Sequence, residues 1–140
     1  MALVRMVDES EAQGLVKEVY EEILETRNLQ RVPNYWKALA HRPEYLKATW
    51  DKQKSVMAEG ALDRRTKEII AVAVSATNNC SYCLSSHTDA LRSLGFGDSE
   101  LVELMAVVDF FNGSNTVASG LQVEYEPPVP RTQPDSGDRA

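Results

Sequence analysis

Apolar residues recur three or four positions apart along most of the chain between residues 11 and 119, the spacing of one helical face. The first such segment, from about Glu11 to Thr26, carries its apolar side chains at Leu15, Val16, Val19, Ile23 and Leu24. Ser10 and Gln13 stand three apart at its start, which fits a capping box. The pattern therefore predicts an amphipathic first helix.

Two prolines mark the starts of the next predicted helices. Proline is tolerated in the first turn of a helix because the N–H it lacks has no partner there. We predict a short helix over residues 34–40, directly after Pro33, and a longer one from Pro43 to about Ala58. Gly60 then ends the longer helix.

The centre of the chain is an apolar run from Ile69 to Ala76, interrupted only by Ser75. A short apolar run is compatible with a buried strand, but its alanines and the charged segment that leads into it from Asp63 favour a buried helix. Asn78-Asn79 breaks this helix. The run is therefore predicted to form the first arm of a helical hairpin.

Two more helices follow the break. One is predicted from about Cys80 to Leu94, with Gly95 just past its end, and the last is predicted from Asp98 to about Ser119. The fold class is therefore all-α, a bundle of about six helices around a central hairpin. We predict a single helical domain over residues 1–123, and a disordered tail over the proline-rich residues 124–140.

Composition excludes several classes of function. The chain has 140 residues, 43% of them hydrophobic, which suffices for one buried core. Its net charge of −6 provides no basic surface, so we expect neither a nucleic-acid nor a membrane partner. Without a membrane-length apolar stretch or a signal-like N-terminus, we expect a cytoplasmic protein.

The candidate chemistry lies in the second arm of the hairpin. Cys80, Cys83 and His87 are spaced i, i+3 and i+7, so a helix places them on one face. The helix N-terminus favours thiolate over thiol, and the imidazole can exchange protons with the cysteines. If the arms pack antiparallel, the rise per residue brings Glu68 to about the height of His87.

These groups suffice for a peroxidase cycle without a metal or an organic cofactor. One thiolate attacks a peroxide and becomes a sulfenic acid, the second thiol condenses with it, and an external dithiol reduces the resulting disulfide. Glu68 and His87 would form the proton relay. We expect Cys83 to attack, because His87 is one turn away, and Cys80 to resolve, although the helix dipole favours Cys80.

Other uses of the same residues remain open. The pair could serve a disulfide reductase or a dithiol electron carrier, or a non-enzymatic oligomer that senses redox state. A zinc site would need Cys80, Cys83, His87 and perhaps Glu68 as ligands, and three of these share one helix. Four aromatic residues could fill a core or a subunit interface, or an apolar patch near the thiols could accept an organic hydroperoxide: Trp36, Trp50, Phe110 and Phe111.

The segment EIIAVAVSATNNCSYCLSSH resembles the signature of the AhpD-like alkylhydroperoxidases, within the carboxymuconolactone decarboxylase superfamily. The flanking segments VPNYWKALAHRPEYL and FFNGSN are similar to members described as peroxidase-related. The resemblance places the family's glutamate, two cysteines and histidine at Glu68, Cys80, Cys83 and His87. The best-studied branch has a histidine where this chain has Tyr82, so a relay through that imidazole is absent.

The resemblance also implies properties that the spacing does not. It implies an AhpD-like helical fold, assembly into trimers or hexamers, and reduction by a lipoyl or thioredoxin-like dithiol protein. In that family the second cysteine is thought to meet the peroxide. The decarboxylase members lack the C-x-x-C pair, so its presence here favours thiol chemistry.

Overall fold

The computed structural model describes residues 2–129, and every regular element within them is helical. After a 3-10 turn at Glu9–Glu11 come six α-helices: α1 Gly14–Arg27, α2 Asn34–Leu39, α3 Pro43–Met57, α4 Arg64–Thr77, α5 Ser81–Ser93 and α6 Asp98–Gly120. The predicted all-α class with about six helices is confirmed. None of these helices has both the length and the apolar character that crossing a bilayer requires.

The predicted tail only partly falls within the described residues. Residues 123–129 form no helix or strand, and residues 130–140 lie outside the described part of the chain. The disorder of residues 124–140 therefore stays a prediction. The same holds for a single domain over residues 1–123.

The capping box expected at the start of the first helix lies instead at the 3-10 turn Glu9–Glu11, and α1 begins only at Gly14. Asp8 accepts a hydrogen bond from the Glu9 N–H at 2.8 Å, and Glu11 accepts one from the Asp8 N–H at 3.0 Å. Gln13, the residue before α1, makes no capping bond with its side chain. The box lies two residues earlier than predicted because two carboxylates bond the free N–H groups there, where Ser10 and Gln13 offer only neutral acceptors.

Contacts divide the chain into two compact units, the first ending at Lys67 and the second beginning at Glu68. In the first unit, the rings of Trp36 and Trp50 meet edge to face at 5.3 Å. The core around them also contains Val16, Val19, Tyr20, Ile23, Val32, Ala40 and Leu46. These aromatic and β-branched side chains make the first unit a separate hydrophobic cluster.

Polar contacts join residues 7–9 to helices of the first unit. Lys37, only 9% exposed, lies 3.1 Å from an oxygen of Asp8 and 3.2 Å from an oxygen of Glu9. The Tyr20 hydroxyl donates to the Val7 carbonyl at 2.9 Å. Because the ammonium and the hydroxyl have partners, their burial costs little.

The second unit has a smaller core, at Val72, Leu91, Phe96 and Leu104. Beside it, an open groove of about 490 Å³ runs between α4 and α6, with Val74, Val107 and Phe111 in its lining. Phe110 and Phe111 are 66% and 54% exposed, so they do not fill the core of this chain.

Four helices end in the same way. In each case within residues 2–129, a residue one or two positions past the last helical residue has a positive φ, and the N–H after it bonds to the carbonyl five residues earlier at 3.0 Å. This is the Schellman motif, which satisfies carbonyls that the helix end leaves free. The residues with positive φ are Asn28, Asn79, Gly95 and Gln122.

Candidate functional site

The α4–α5 hairpin has no connecting loop beyond Asn78 and Asn79. The Cys80 N–H donates to the Ser75 carbonyl of α4 at 3.0 Å, and the Cys80 carbonyl accepts from the Leu84 N–H of α5 at 2.9 Å. Cys80 therefore belongs to the end of one helix and the start of the next. It is the N-cap residue of α5 and not, as predicted, its first helical residue.

The two cysteines are free, partly exposed and in contact. The Cys80 Sγ accepts a hydrogen bond from the Cys83 N–H at 3.4 Å, which is a normal length for sulfur. A backbone N–H at the first turn of a helix stabilises a negatively charged acceptor. The N-cap position thus favours a thiolate at Cys80.

The contact shifts the two thiols in opposite directions. The pKa of Cys80 is lowered, first because the Cys83 thiol donates to its sulfur and second because the Cys83 N–H does. The pKa of Cys83 is raised by that same thiol hydrogen bond, by partial burial and by the charge on Cys80. The first negative charge of the reduced pair therefore lies on Cys80.

The second pair of candidate residues is joined across the hairpin. The His87 Nδ1 lies 2.7 Å from the Glu68 Oε2, and Glu68 is only 2% exposed. The structure thus brings together the two side chains that the helix lengths place at similar heights. When the carboxylate is ionised and the imidazole neutral, the carboxylate can only accept, so Nδ1 carries the proton and Nε2 is an acceptor.

The Cys80–Cys83 pair and the Glu68–His87 pair are close in sequence because Cys83 and His87 both lie on α5. Cys83 and His87 are separated by one helical turn, so their Cβ atoms stand about 5–6 Å apart. The arrangement brings two thiols, an imidazole and a buried carboxylate onto one hairpin, and such groups can serve as nucleophile, resolving thiol, base and orienting acceptor. These are the parts that a thiol-based redox site needs.

Among residues 2–129, no three or more His, Cys, Asp or Glu side chains are grouped so that they could hold a metal ion. Of the four zinc ligands considered from the sequence, Glu68 and His87 bond to each other.

Tyr82, between the cysteines, is 44% exposed.

One feature that positions the two cysteines does not follow from their spacing. The sequence predicts a helix break at Asn78-Asn79, and Asn79 in addition adopts a left-handed conformation with φ of 54°. Asparagine directly after an apolar helical run is a signal for this conformation, since Asn and Gly tolerate it best. The signal was present in Asn78-Asn79.

Comparison with known proteins places this hairpin in a family. A sequence model of the carboxymuconolactone decarboxylase family matches residues 43–123. The crystal structure of an alkylhydroperoxidase AhpD core from Rhodospirillum rubrum is 40% identical, with a TM-score of 0.85 over 90% of this chain and 95% of that one.

Two similar curated proteins are named as enzymes of different classes. An alkyl hydroperoxide reductase of Mycobacterium tuberculosis is 29% identical over 85% of this chain. A (R)-2-haloacid dehalogenase of Pseudomonas putida is 27% identical over 76% of it. The chain spans only 35% of the length of each of these two relatives.

Proposed function

The chain belongs to the carboxymuconolactone decarboxylase family, and from that membership and the geometry of the hairpin we propose that it is a thiol-dependent peroxidase. Its substrates would be hydrogen peroxide or organic hydroperoxides, and Cys80 and Cys83 would cycle between dithiol and disulfide. The observation that carries the proposal is the buried Glu68–His87 contact at 2.7 Å, one turn from Cys83. The alkylhydroperoxidase and alkyl hydroperoxide reductase names of two similar proteins support it.

In the first step, His87 Nε2 takes the proton of the Cys83 thiol. The Cys83 sulfur attacks the outer oxygen of ROOH, the O–O bond breaks, and the departing alkoxide takes a proton from the imidazolium. The products are ROH and a Cys83 sulfenic acid. Glu68 acts as the orienting carboxylate, because its bond to Nδ1 holds the imidazole in the tautomer that can accept.

In the second step, the Cys80 thiolate attacks the Cys83 sulfur and displaces hydroxide, which leaves as water after protonation. The cycle thus converts ROOH and two thiols into ROH, water and a disulfide. The lowered pKa of Cys80 suits this resolving role, because the thiolate is the reactive form. The same charge opposes ionisation of Cys83, which is why the first step needs a base.

The disulfide must then be reduced by a second protein or small dithiol. We propose a lipoyl or thioredoxin-like dithiol as the reductant and a homo-oligomer, a trimer or hexamer, as the working form. Both proposals rest on the family resemblance.

A second candidate function uses the same pair without fast peroxide chemistry. Cys80 is an N-cap cysteine in a C-x-x-C pair with a lowered pKa, features that also suit a disulfide reductase or dithiol carrier. The two candidates differ in what oxidises the reduced protein. A peroxidase reacts rapidly with ROOH, whereas a carrier reacts rapidly only with disulfides.

Stopped-flow mixing of the reduced protein with cumene hydroperoxide or hydrogen peroxide tests the proposal. We expect Cys83→Ser to lose the fast phase. We expect Cys80→Ser to complete one turnover and stop as a sulfenic acid, which dimedone would label at Cys83. Wild-type protein that consumes peroxide no faster than a free thiol, yet exchanges rapidly with oxidised lipoamide, would exclude the peroxidase in favour of the carrier.

A further inference from the structure

The geometry of the Cys80 thiol depends on the residue before it. Asn79 has a φ of 54°, its N–H bonds to the Ala76 carbonyl at 3.2 Å, and the Cys80 N–H bonds to the Ser75 carbonyl at 3.0 Å. These two bonds close the end of α4 as a Schellman motif. The left-handed step at Asn79 therefore turns the chain from α4 directly into Cys80.

The start of α5 fixes the same residue from the other side. The Cys80 carbonyl accepts from the Leu84 N–H at 2.9 Å, and the Cys80 Sγ accepts from the Cys83 N–H at 3.4 Å. With both its backbone polar groups engaged, Cys80 has little freedom of its own. A change in the backbone at Asn79 must move the Cys80 sulfur relative to the Cys83 N–H.

We propose that Asn79 is a positioning residue, whose left-handed backbone conformation holds the Cys80 Sγ on the Cys83 N–H at the first turn of α5. Its role is carried by the backbone and not by the amide group. The inference concerns the same thiol pair as the proposed function, but it concerns thiol ionisation and does not require that peroxide be the substrate.

The residue types that can fill this position follow from the conformation. Glycine adopts positive φ without steric cost, asparagine tolerates it, alanine tolerates it less well, and valine least because its branched Cβ crowds the backbone. If the backbone matters, a series of substitutions at Asn79 should follow this order. If the amide matters, glycine should be as damaging as alanine.

The pH dependence of Cys80 alkylation tests the proposal. The variants Asn79→Gly, Asn79→Ala and Asn79→Val are made in a Cys83→Ser background, which leaves one thiol but keeps the N–H at position 83. The rate of reaction with iodoacetamide is measured against pH, with the adduct located by mass spectrometry. No peroxide enters the assay, so a failed peroxidase proposal would leave its result unaffected.

We expect Asn79→Gly to keep the midpoint pH of the parent. Loss of one hydrogen bond to a thiolate corresponds to about one to two pH units, so we expect Asn79→Val to raise the midpoint by about that amount and Asn79→Ala by a part of it. Asn28→Ala is the matched control. Asn28 ends α1 in the first unit with a φ of 50° and the same two backbone bonds, at 3.2 and 3.0 Å.

Each possible result either supports or overturns the proposed role of Asn79. A midpoint that rises in Asn79→Ala but not in Asn79→Gly or Asn28→Ala supports the proposal, even if Asn79→Val fails to fold. Three outcomes overturn it: a midpoint unchanged in Asn79→Ala, an equal rise in Asn79→Gly, or an equal rise in Asn28→Ala. The last result would mean that lost stability alone shifts the thiol.

Discussion

Replacing Glu68 with glutamine removes one charge from a buried hydrogen bond and keeps a side chain of the same shape. The amide oxygen can still accept from His87 Nδ1, which is 2.7 Å from the carboxylate in the native protein. The substitution therefore isolates the contribution of the charge. On the proposed mechanism, that charge stabilises the imidazolium formed when His87 takes the Cys83 proton.

The size of the effect follows from the kind of hydrogen bond that is lost. A bond to a charged group contributes about 1.5–3 kcal/mol, and a neutral one about 0.5–1.5 kcal/mol. The difference of about 1 kcal/mol, if it acts in the transition state, slows peroxide consumption about fivefold. Because Glu68 is buried, removing its charge also removes a desolvation cost, so we expect unfolding free energy within about 1 kcal/mol of wild type.

Two measurements made together check this prediction. Stopped-flow peroxide consumption gives the rate, and urea unfolding gives the free energy of unfolding. Glu22→Gln is the control, since Glu22 accepts a charged hydrogen bond from Lys54 and both residues belong to the first unit. A Glu68→Gln rate equal to that of wild type, or a rate loss no greater than that of Glu22→Gln, would refute the role of the carboxylate.

Three further outcomes are expected. Cys80→Ser should lower the midpoint pH of Cys83 alkylation, because it removes the sulfur that accepts the Cys83 thiol hydrogen bond and whose charge also raises the pKa of Cys83; an unchanged or higher midpoint would contradict this. The hydrogen bond from Lys37 lowers the pKa of Asp8, so the native state binds fewer protons than the unfolded state and loses stability as the pH falls through about 4. Urea unfolding at several pH values should show a smaller loss of unfolding free energy in Lys37→Met. Burial raises the pKa of Tyr20 to about 12, so wild type should lose stability above pH ~10 as unfolded tyrosine ionises, and Tyr20→Phe should lose less.

The elements that sequence patterns predicted best are those with a strong local cause. Pro43 begins α3, and Gly95, with a φ of 85°, follows the end of α5. The contact between Glu68 and His87 could also be anticipated, because it depends only on helix rise and on a tight turn. Such features need no knowledge of packing.

The features that escaped prediction depend on competition between neighbours. Asp8 and Ser10 could both cap a turn, and only the folded N-terminal segment decides in favour of Asp8. The opposite pKa shifts of Cys80 and Cys83 depend on which thiol donates to the other, and residue spacing does not determine this. The exposure of Phe110 and Phe111 likewise depends on where α6 packs.

Cys80 is bonded to the end of α4 and to the start of α5. This position affects how much a disulfide between Cys80 and Cys83 would change the stability of the chain. A bond from Cys80 to Cys83 would close a ring of four residues within a single turn that backbone hydrogen bonds already hold. Closing so short a ring restricts the unfolded chain by only about 2 kcal/mol, well below the effect of a disulfide that joins distant segments. Oxidation and reduction would then alternate with a smaller change in the free energy of unfolding than a disulfide between distant segments brings.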